Sequence, residues 1–213
     1  TSRGLIYSRK GYNYVEMDLE KVSNNKINII KSIQKGIPDL LKVISGNALR
    51  KSDYSKCDEY FEKNKPVAVI NEGLLRYLTF AEKRIVAENV YSFLKKYGGI
   101  WITCDVTPKK FMQTQDKALP DFNKKLASVT SRNNLNDRFE NIQHIKEFFG
   151  NIGFELIEVH KFSEMKEELY SINFNKIVDE HIEQLLDDAI VAVMKIKEDK
   201  NDETTEKMVS SLK

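Results

Sequence analysis

Short apolar runs alternate along the chain with apolar residues at helical spacing. The runs at 12–19, 40–44, 67–70 and 100–105 are rich in β-branched and aromatic residues, which is typical of strands. Between them, apolar residues recur every three to four positions, as on one face of a helix. Strands that alternate with helices predict parallel strands joined by right-handed crossovers.

The helix after the run at 67–70 has the clearest boundaries. Thr79 and Glu82 have the spacing of a capping box, in which the hydroxyl and the carboxylate each satisfy a free backbone donor. Gly98 and Gly99 are expected to end this helix. The face expected to be buried carries Ile85, Val86, Val90, Phe93, Leu94 and Tyr97.

Beyond residue 106 the pattern becomes polar before it returns to regular elements. The segment 107–141 is long for a loop in a compact sheet, and such insertions commonly form a lid over a site. A helix is predicted at 142–149 and a strand at 154–159. A further helix at about 175–187 and a strand at 189–196 follow. The charged stretch 197–213 lacks periodicity and is predicted to be a flexible tail.

Composition narrows the class of protein. The chain has 213 residues, enough for one domain with its own core, and the prediction is a single domain over 1–196. Two distant cysteines, Cys57 and Cys104, favour a reducing compartment, so a cytoplasmic location is expected. Interspersed charges with a net +2 give no basic surface for nucleic acid. No apolar stretch is long enough to span a membrane, and no metal site is expected from three scattered histidines.

The run at 67–70 stops on a carboxylate, Glu72, which Gly73 follows at once. Because the run lacks polar alternation, it is expected to be a central strand covered on both faces. Ligands of open α/β sheets bind beyond the carboxyl ends of the strands. Glu72 is therefore a candidate ligand contact, and its alternative role is a structural salt bridge with a nearby lysine.

Three stretches in this order resemble one family. "YNYVEMDLEKV" at 12–22, "GNALR" at 46–50 and "EGLLRYL" at 72–78 are similar to the leucine carboxyl methyltransferase family and its polyketide-type O-methyltransferase relatives. The likeness covers residues 1–106 and continues more weakly to residue 196. It implies a Rossmann-like class I methyltransferase fold that binds S-adenosylmethionine (SAM), with an antiparallel strand at 189–196 between two others. In the family a strand and a glycine-containing loop come directly before an element like "TSRG", so the chain is expected to match the end of that loop and the C-terminal three quarters or so of an enzyme.

The resemblance also assigns residues to SAM. Asp18 ends the first predicted strand, where acids accept hydrogen bonds from ribose hydroxyls, and Glu16 shares its face. The alternative for Asp18 is an exposed acid without a ligand. In the family, the residue matching Glu72 binds the amino group of SAM, Gly73 lets the backbone approach, and Arg3 faces the SAM carboxylate or shapes the loop.

The stretch at 46–50 matches the family's adenine contact. Many relatives carry an aspartate at the position of Ala48, which this chain lacks. The resemblance therefore implies only backbone contact from Ala48 and Leu49, together with Asn47. A simple turn at Gly46 and Asn47 is the alternative. Arg76 and Tyr77 are candidate contacts to the methyl acceptor, although Tyr77 could equally belong to the core.

The resulting hypothesis is a SAM-dependent O-methyltransferase acting on a carboxylate or hydroxyl group of a small molecule. No residue is assigned as a catalytic base, because a carboxylate acceptor is already anionic and needs mainly positioning. A non-catalytic Rossmann-like interaction module that has lost its cofactor loop is the alternative. A nicotinamide-dependent oxidoreductase is disfavoured because no G-x-G-x-x-G follows a predicted strand. The acceptor and the oligomeric state stay open.

Overall fold

The computed structural model describes residues 3–33, 36–63, 65–118, 137–168 and 180–198. Its strands are β1 (Tyr14–Asp18), β2 (Leu41–Ser45), β3 (Val67–Asn71), β4 (Gly99–Thr103), β5 (Phe154–Lys161) and β6 (Ile190–Ile196).

Helices connect these strands as the spacing predicts. The α-helices are α1 (Arg3–Arg9), α2 (Glu20–Ile33), α3 (Lys51–Tyr54), α4 (Phe80–Tyr97), α5 (Lys109–Ala118), α6 (Ile142–Gly150) and α7 (Glu180–Asp188). Short 3₁₀ helices cover Ser55–Tyr60, Leu75–Tyr77 and Phe162–Glu168.

The strand directions agree with the sequence. β1 pairs with β2 in parallel, and β3 pairs with β4 in parallel. β6 lies antiparallel between β4 and β5, as predicted for 189–196. β6 therefore runs opposite to both of its neighbours, and β5 forms the edge of this sheet.

The described strands form two sheets that share a core. One sheet holds β1 and β2, and the other has the order β3-β4-β6-β5. Val15 of β1 and Val69 of β3 pack against the same cluster, which contains Phe93 and Tyr97 of α4. β1 and β3 are therefore neighbours in space, although no hydrogen bonds link them within the described ranges.

The main core lies where α4 and α6 cover the larger sheet. Trp101 of β4 is fully buried there, with Phe149 and Phe154 packed against its ring. The capping box of α4 is confirmed, since Thr79 accepts from the Glu82 N–H and Glu82 accepts from the Thr79 N–H. The capping box and the buried face fix where α4 begins and which side of it meets the sheet.

Two sequence expectations about burial are wrong. β3 is covered on one face only, because Val67 and Val69 pack under α4 while Ile70 keeps 39% of its surface exposed. On the face of α4 that was expected to be buried, Ile85 is 41% exposed, whereas Val86 and Leu94 are buried. The apolar runs specified strands and helices correctly but overstated how much protein covers them.

The predicted lid and tail lie mostly outside the described residues. Of 107–141, residues 119–136 fall outside them, and so do residues 199–213 of the tail. The described ends of the lid lie together, since Pro108 bridges Phe139 and the Lys109 N–H donates to the Phe139 carbonyl at 2.8 Å. A lid over the site stays a prediction. None of the described helices has the length and apolar character needed to cross a membrane.

Candidate functional site

A cleft of about 1040 Å³ lies at the carboxyl ends of β1 and β3. Small-molecule sites are typically about 300–1,000 Å³, so the cleft is large enough for a nucleotide-sized ligand. All eight residues that the sequence assigned to a cofactor line it, namely Arg3, Glu16, Asp18, Asn47, Ala48, Leu49, Glu72 and Gly73. The fold thus gathers these residues from four separate segments around one space.

Arg3 and Glu72 form an ion pair on the wall of this cleft. Arg3, at the start of α1, donates to the carboxylate of Glu72, which directly follows β3. This hydrogen bond raises the pKa of Arg3. Both side chains are about half exposed, at 48% and 58%, so the pair contributes about 0–1 kcal/mol to stability. The partner of Glu72 is therefore an arginine rather than the lysine of the alternative hypothesis, and the pair separates at little cost.

Glu16 and Asp18 differ in what they contact. One oxygen of Glu16 accepts from the Gly4 N–H at 3.1 Å, and the other pairs with Lys26. A Cβ at Gly4 would lie 2.4 Å from the Glu16 carboxylate, so α1 approaches β1 because residue 4 lacks a side chain. Asp18 is exposed at the tip of β1, where one oxygen accepts from the Leu19 N–H at 2.7 Å. Asp18 is the acid better placed to meet a ligand.

The loop after β2 is closed by its own hydrogen bonds. The Asn47 side chain accepts from the Leu49 N–H at 2.9 Å, and Asp53 accepts from the Asn47 N–H at 2.8 Å. Lys56 and this backbone N–H hold the pKa of Asp53 below its usual value. This is the turn that Asn favours, and it presents Ala48 and Leu49 to the cleft in a fixed conformation.

Asp105 organises the loop that carries Glu72, a role that sequence reasoning missed. Its carboxylate, which is fully buried, accepts from the Gly73 N–H at 2.8 Å, the Leu74 N–H at 2.7 Å and the Leu75 N–H at 3.0 Å. Asn71 adds a side-chain donor at 2.8 Å. The signal was present in the sequence as an acid just beyond β4, the strand that neighbours β3.

Gly73 takes a conformation that the loop needs. Its φ of 70° lies in the left-handed region, which glycine adopts without strain. A Cβ built there would meet nothing within 4 Å, so open space lies beside it. A ligand can therefore approach the backbone at this point.

Arg76 and Tyr77 occupy different positions relative to the cleft. Tyr77 lines the cleft and is half-buried. Arg76 lies behind Tyr77, with its Nε 3.6 Å from a carboxylate oxygen of Asp105. The two candidates for acceptor contact thus lie on the same short turn, with Asp105 beneath it.

His144 and His160 do not line this cleft. His144 packs against the rings of Phe80 and Phe139. His160 is exposed and pairs with Glu158, and this contact raises the pKa of His160. Within the described residues, no group of three or more histidine, cysteine, aspartate or glutamate side chains could hold a metal ion.

Lys83 is a buried lysine that the sequence did not single out. Only 1% of it is exposed, and its Nζ donates to the backbone carbonyls of Leu78 and Asp137. Burial lowers the pKa of Lys83 to about 8, and the charge of Arg138 adds to this effect. Lys83 thus joins the turn after β3 to the C-terminal end of the predicted lid segment.

The depressed pKa of Lys83 predicts a pH-dependent stability. Between pH 8 and about 10.5 the unfolded lysine keeps its proton while the folded one loses it, so stability should rise with pH, by at most about 3 kcal/mol. Lys83→Met should abolish this rise, and Lys95→Met, at an exposed position on the same helix, should retain it. Urea unfolding at pH 7.5 to 10.5 measures the difference. An equal rise in the wild type and in Lys83→Met would contradict the assignment.

Comparisons with known proteins establish the fold. The chain is similar to a DUF574 family protein from Streptomyces avermitilis MA-4680, with 11% identity and a TM-score of 0.56 over 86% of this chain and 64% of that one. It is similar to geranyl diphosphate C-methyltransferase from Streptomyces coelicolor A3(2), solved with S-adenosyl-L-homocysteine (SAH), with 11% identity and a TM-score of 0.54 over 91% and 66%. The chain is also similar to the protein TnmH, with 8% identity and a TM-score of 0.53 over 90% of this chain and 45% of that one.

The fold is that of a class I methyltransferase. This confirms the fold class predicted from the sequence. The chain spans less than two thirds of the length of each of these three proteins. No protein-family model and no curated protein sequence matches the chain. Membership of the leucine carboxyl methyltransferase family therefore stays a prediction from the quoted stretches.

Proposed function

We propose that the chain forms the cofactor-binding part of a SAM-dependent O-methyltransferase, of the leucine carboxyl methyltransferase type, that acts on a carboxylate or hydroxyl group of a small molecule. The observation that carries this proposal is the Arg3–Glu72 pair on the wall of a cleft whose other end bears Asp18. A class I methyltransferase fold supports it.

The ion pair matches the amino-acid part of SAM. That part is a zwitterion, so its site needs one cation and one anion side by side. Arg3 would bind the carboxylate of SAM, and Glu72 would bind the ammonium. Because the pair is exposed and contributes little to stability, exchanging it for two charge-assisted hydrogen bonds to the ligand costs little.

The nucleoside part would lie towards β1 and β2. Asp18, with an exposed carboxylate, would accept from the ribose diol. The fixed turn at Asn47 would place Ala48 and Leu49 against the adenine. Since the Leu49 N–H already donates to Asn47, polar recognition of adenine by Leu49 would require that turn to open. We therefore expect packing against this loop to contribute more than hydrogen bonding.

SAM would supply an electrophilic methyl group on its sulfonium. The residues of the chain then have to position the acceptor, for which Tyr77 lines the cleft and Arg76 stands next to it. A carboxylate acceptor needs no base, so alignment alone accounts for most of the rate. The expected partner is a small molecule in the cytoplasm.

Ligand fragments separate the two halves of the site. Asp18→Asn removes the charge that favours the ribose diol, so the affinity for adenosine and for SAH should fall about tenfold. The affinity for methionine should not change, since Arg3 and Glu72 are intact. Calorimetry with adenosine, methionine and SAH measures all three. Asp39→Asn, at an exposed position outside the cleft, is the matched control.

The opposite pattern would favour the interaction-module hypothesis. If adenosine and SAH bind Asp18→Asn as tightly as they bind the wild type, Asp18 has no ligand role. If neither fragment binds the folded wild-type chain, the cleft does not hold a nucleoside, and the proposal loses its support.

A further inference from the structure

Two arginines lie at the carboxyl end of the larger sheet, beside the turn that carries Tyr77. Arg76 belongs to the 3₁₀ helix Leu75–Tyr77 that follows β3. Arg138 lies in the segment that runs beside Pro108, just beyond β4. Because β3 and β4 are adjacent parallel strands, the elements that follow them come together at this edge.

Both guanidinium groups have an unsatisfied buried donor. The Nε atoms of Arg76 and Arg138 are buried, and neither has a hydrogen-bond partner among the residues that the structure describes. Burial lowers the pKa of Arg138, and the positive charge of Arg76 lowers it further. Two like-charged groups that influence each other thus each bury an Nε donor, which costs free energy unless an acceptor such as an anion meets it.

The described acids nearby are already committed to other donors. Asp105, 3.6 Å from Arg76, accepts four N–H bonds from Asn71 and the loop after it. Asp137 accepts from the Phe80 N–H at 2.9 Å. Lys83 adds a third cation, bound to backbone carbonyls. Glu82 also acts on Lys83, so three cations and three acids lie in this part of the described chain, and what stays unsatisfied is the buried Nε donor of each arginine.

We infer that Arg76 and Arg138 form an anion subsite that binds a carboxylate or phosphate group on the methyl acceptor. Guanidinium groups present planar pairs of donors that match the oxygens of both anions. Tyr77, next to Arg76, lines the cofactor cleft, so an anion held here would place the rest of the acceptor towards that cleft. This inference rests on the proposed function, and it names the chemical class of the substrate.

Inorganic phosphate and propionate serve as probes, with binding followed by NMR titration at low ionic strength. Arg138→Gln and Arg76→Gln should each weaken binding of the preferred anion at least tenfold. Arg138→Lys should recover part of the loss because it keeps the charge. Arg84→Gln, which removes an exposed arginine of α4, should bind like the wild type. The stronger probe identifies the anion as a phosphate or a carboxylate.

Stability distinguishes a binding site from a structural one. Without anion, Arg138→Gln should have an equal or higher melting temperature, because it relieves like-charge repulsion, and phosphate or propionate should raise the melting temperature of the wild type only. A large loss of stability in anion-free buffer would overturn the inference, as would equal binding by Arg138→Gln and Arg84→Gln or no saturable binding to the wild type. SAH affinity, measured in parallel, should be unchanged by Arg138→Gln. If the wild type binds the anion but does not bind SAH, the result counts against the proposed function and not against the anion subsite.

Discussion

Asp105→Asn is expected to lower the free energy of unfolding by about 3–5 kcal/mol. The carboxylate is fully buried and both oxygens accept N–H groups, so an amide must turn one NH₂ group towards donors. At least one backbone N–H of the loop, such as that of Leu75, then loses its acceptor in a buried position. Urea unfolding at pH 7 measures the change.

The same substitution should also weaken ligand binding. Asp105 holds Gly73 and Leu74, so its loss frees the loop that positions Glu72. Asp39→Asn, at an exposed position, should change stability by less than about 0.5 kcal/mol and serves as the control. If Asp105→Asn is as stable as Asp39→Asn, the loop is held by other contacts, and the role given to Asp105 is wrong.

Glu72→Gln should weaken SAM binding roughly ten- to more than a hundredfold while leaving the fold intact. The glutamine keeps the shape of the side chain but loses the charge that would meet the ammonium, a charge-assisted bond worth about 1.5–3 kcal/mol. The ion pair with Arg3 is exposed, so its loss should change the free energy of unfolding by no more than about 1 kcal/mol. Calorimetry with SAM and thermal unfolding measure the two effects.

Another exposed pair provides the matched control for Glu72. Glu62 pairs with Lys65 at 2.9 Å on the surface, outside the cleft. Glu62→Gln should leave both SAM affinity and unfolding unchanged. A structural role for Glu72 predicts the reverse of the expected pattern, namely unchanged affinity with a loss of several kcal/mol in stability.

The sequence predicted the elements of the fold because their signals are local. Apolar runs located the strands, and Thr79 with Glu82 placed the start of α4 to the residue. Burial depends on what packs above a strand, which no local pattern contains. Ile70 resembles a core residue in sequence, yet it borders the cleft.

The site was predicted in part for the same reason. The strand positions and the family resemblance together were enough to predict residues at or just beyond strand ends, such as Asp18 and Glu72. Asp105, Lys83 and Arg138 act through partners far away in the chain. Asp105 accepts from Leu75 at a separation of 30 residues, and Lys83 donates to Asp137 at a separation of 54 residues. Single-sequence patterns give the type of such residues but not the partners that define their roles.

The most direct test of the cofactor site is a calorimetric titration of SAH into the wild-type chain and Glu72→Gln, each shown by circular dichroism to be folded. The proposed site predicts saturable binding of one SAH per wild-type chain, with at least tenfold weaker binding by the variant at an unchanged unfolding midpoint. Absence of saturable binding to the folded wild type, or equal affinity in both proteins, would contradict a SAM site at Arg3 and Glu72.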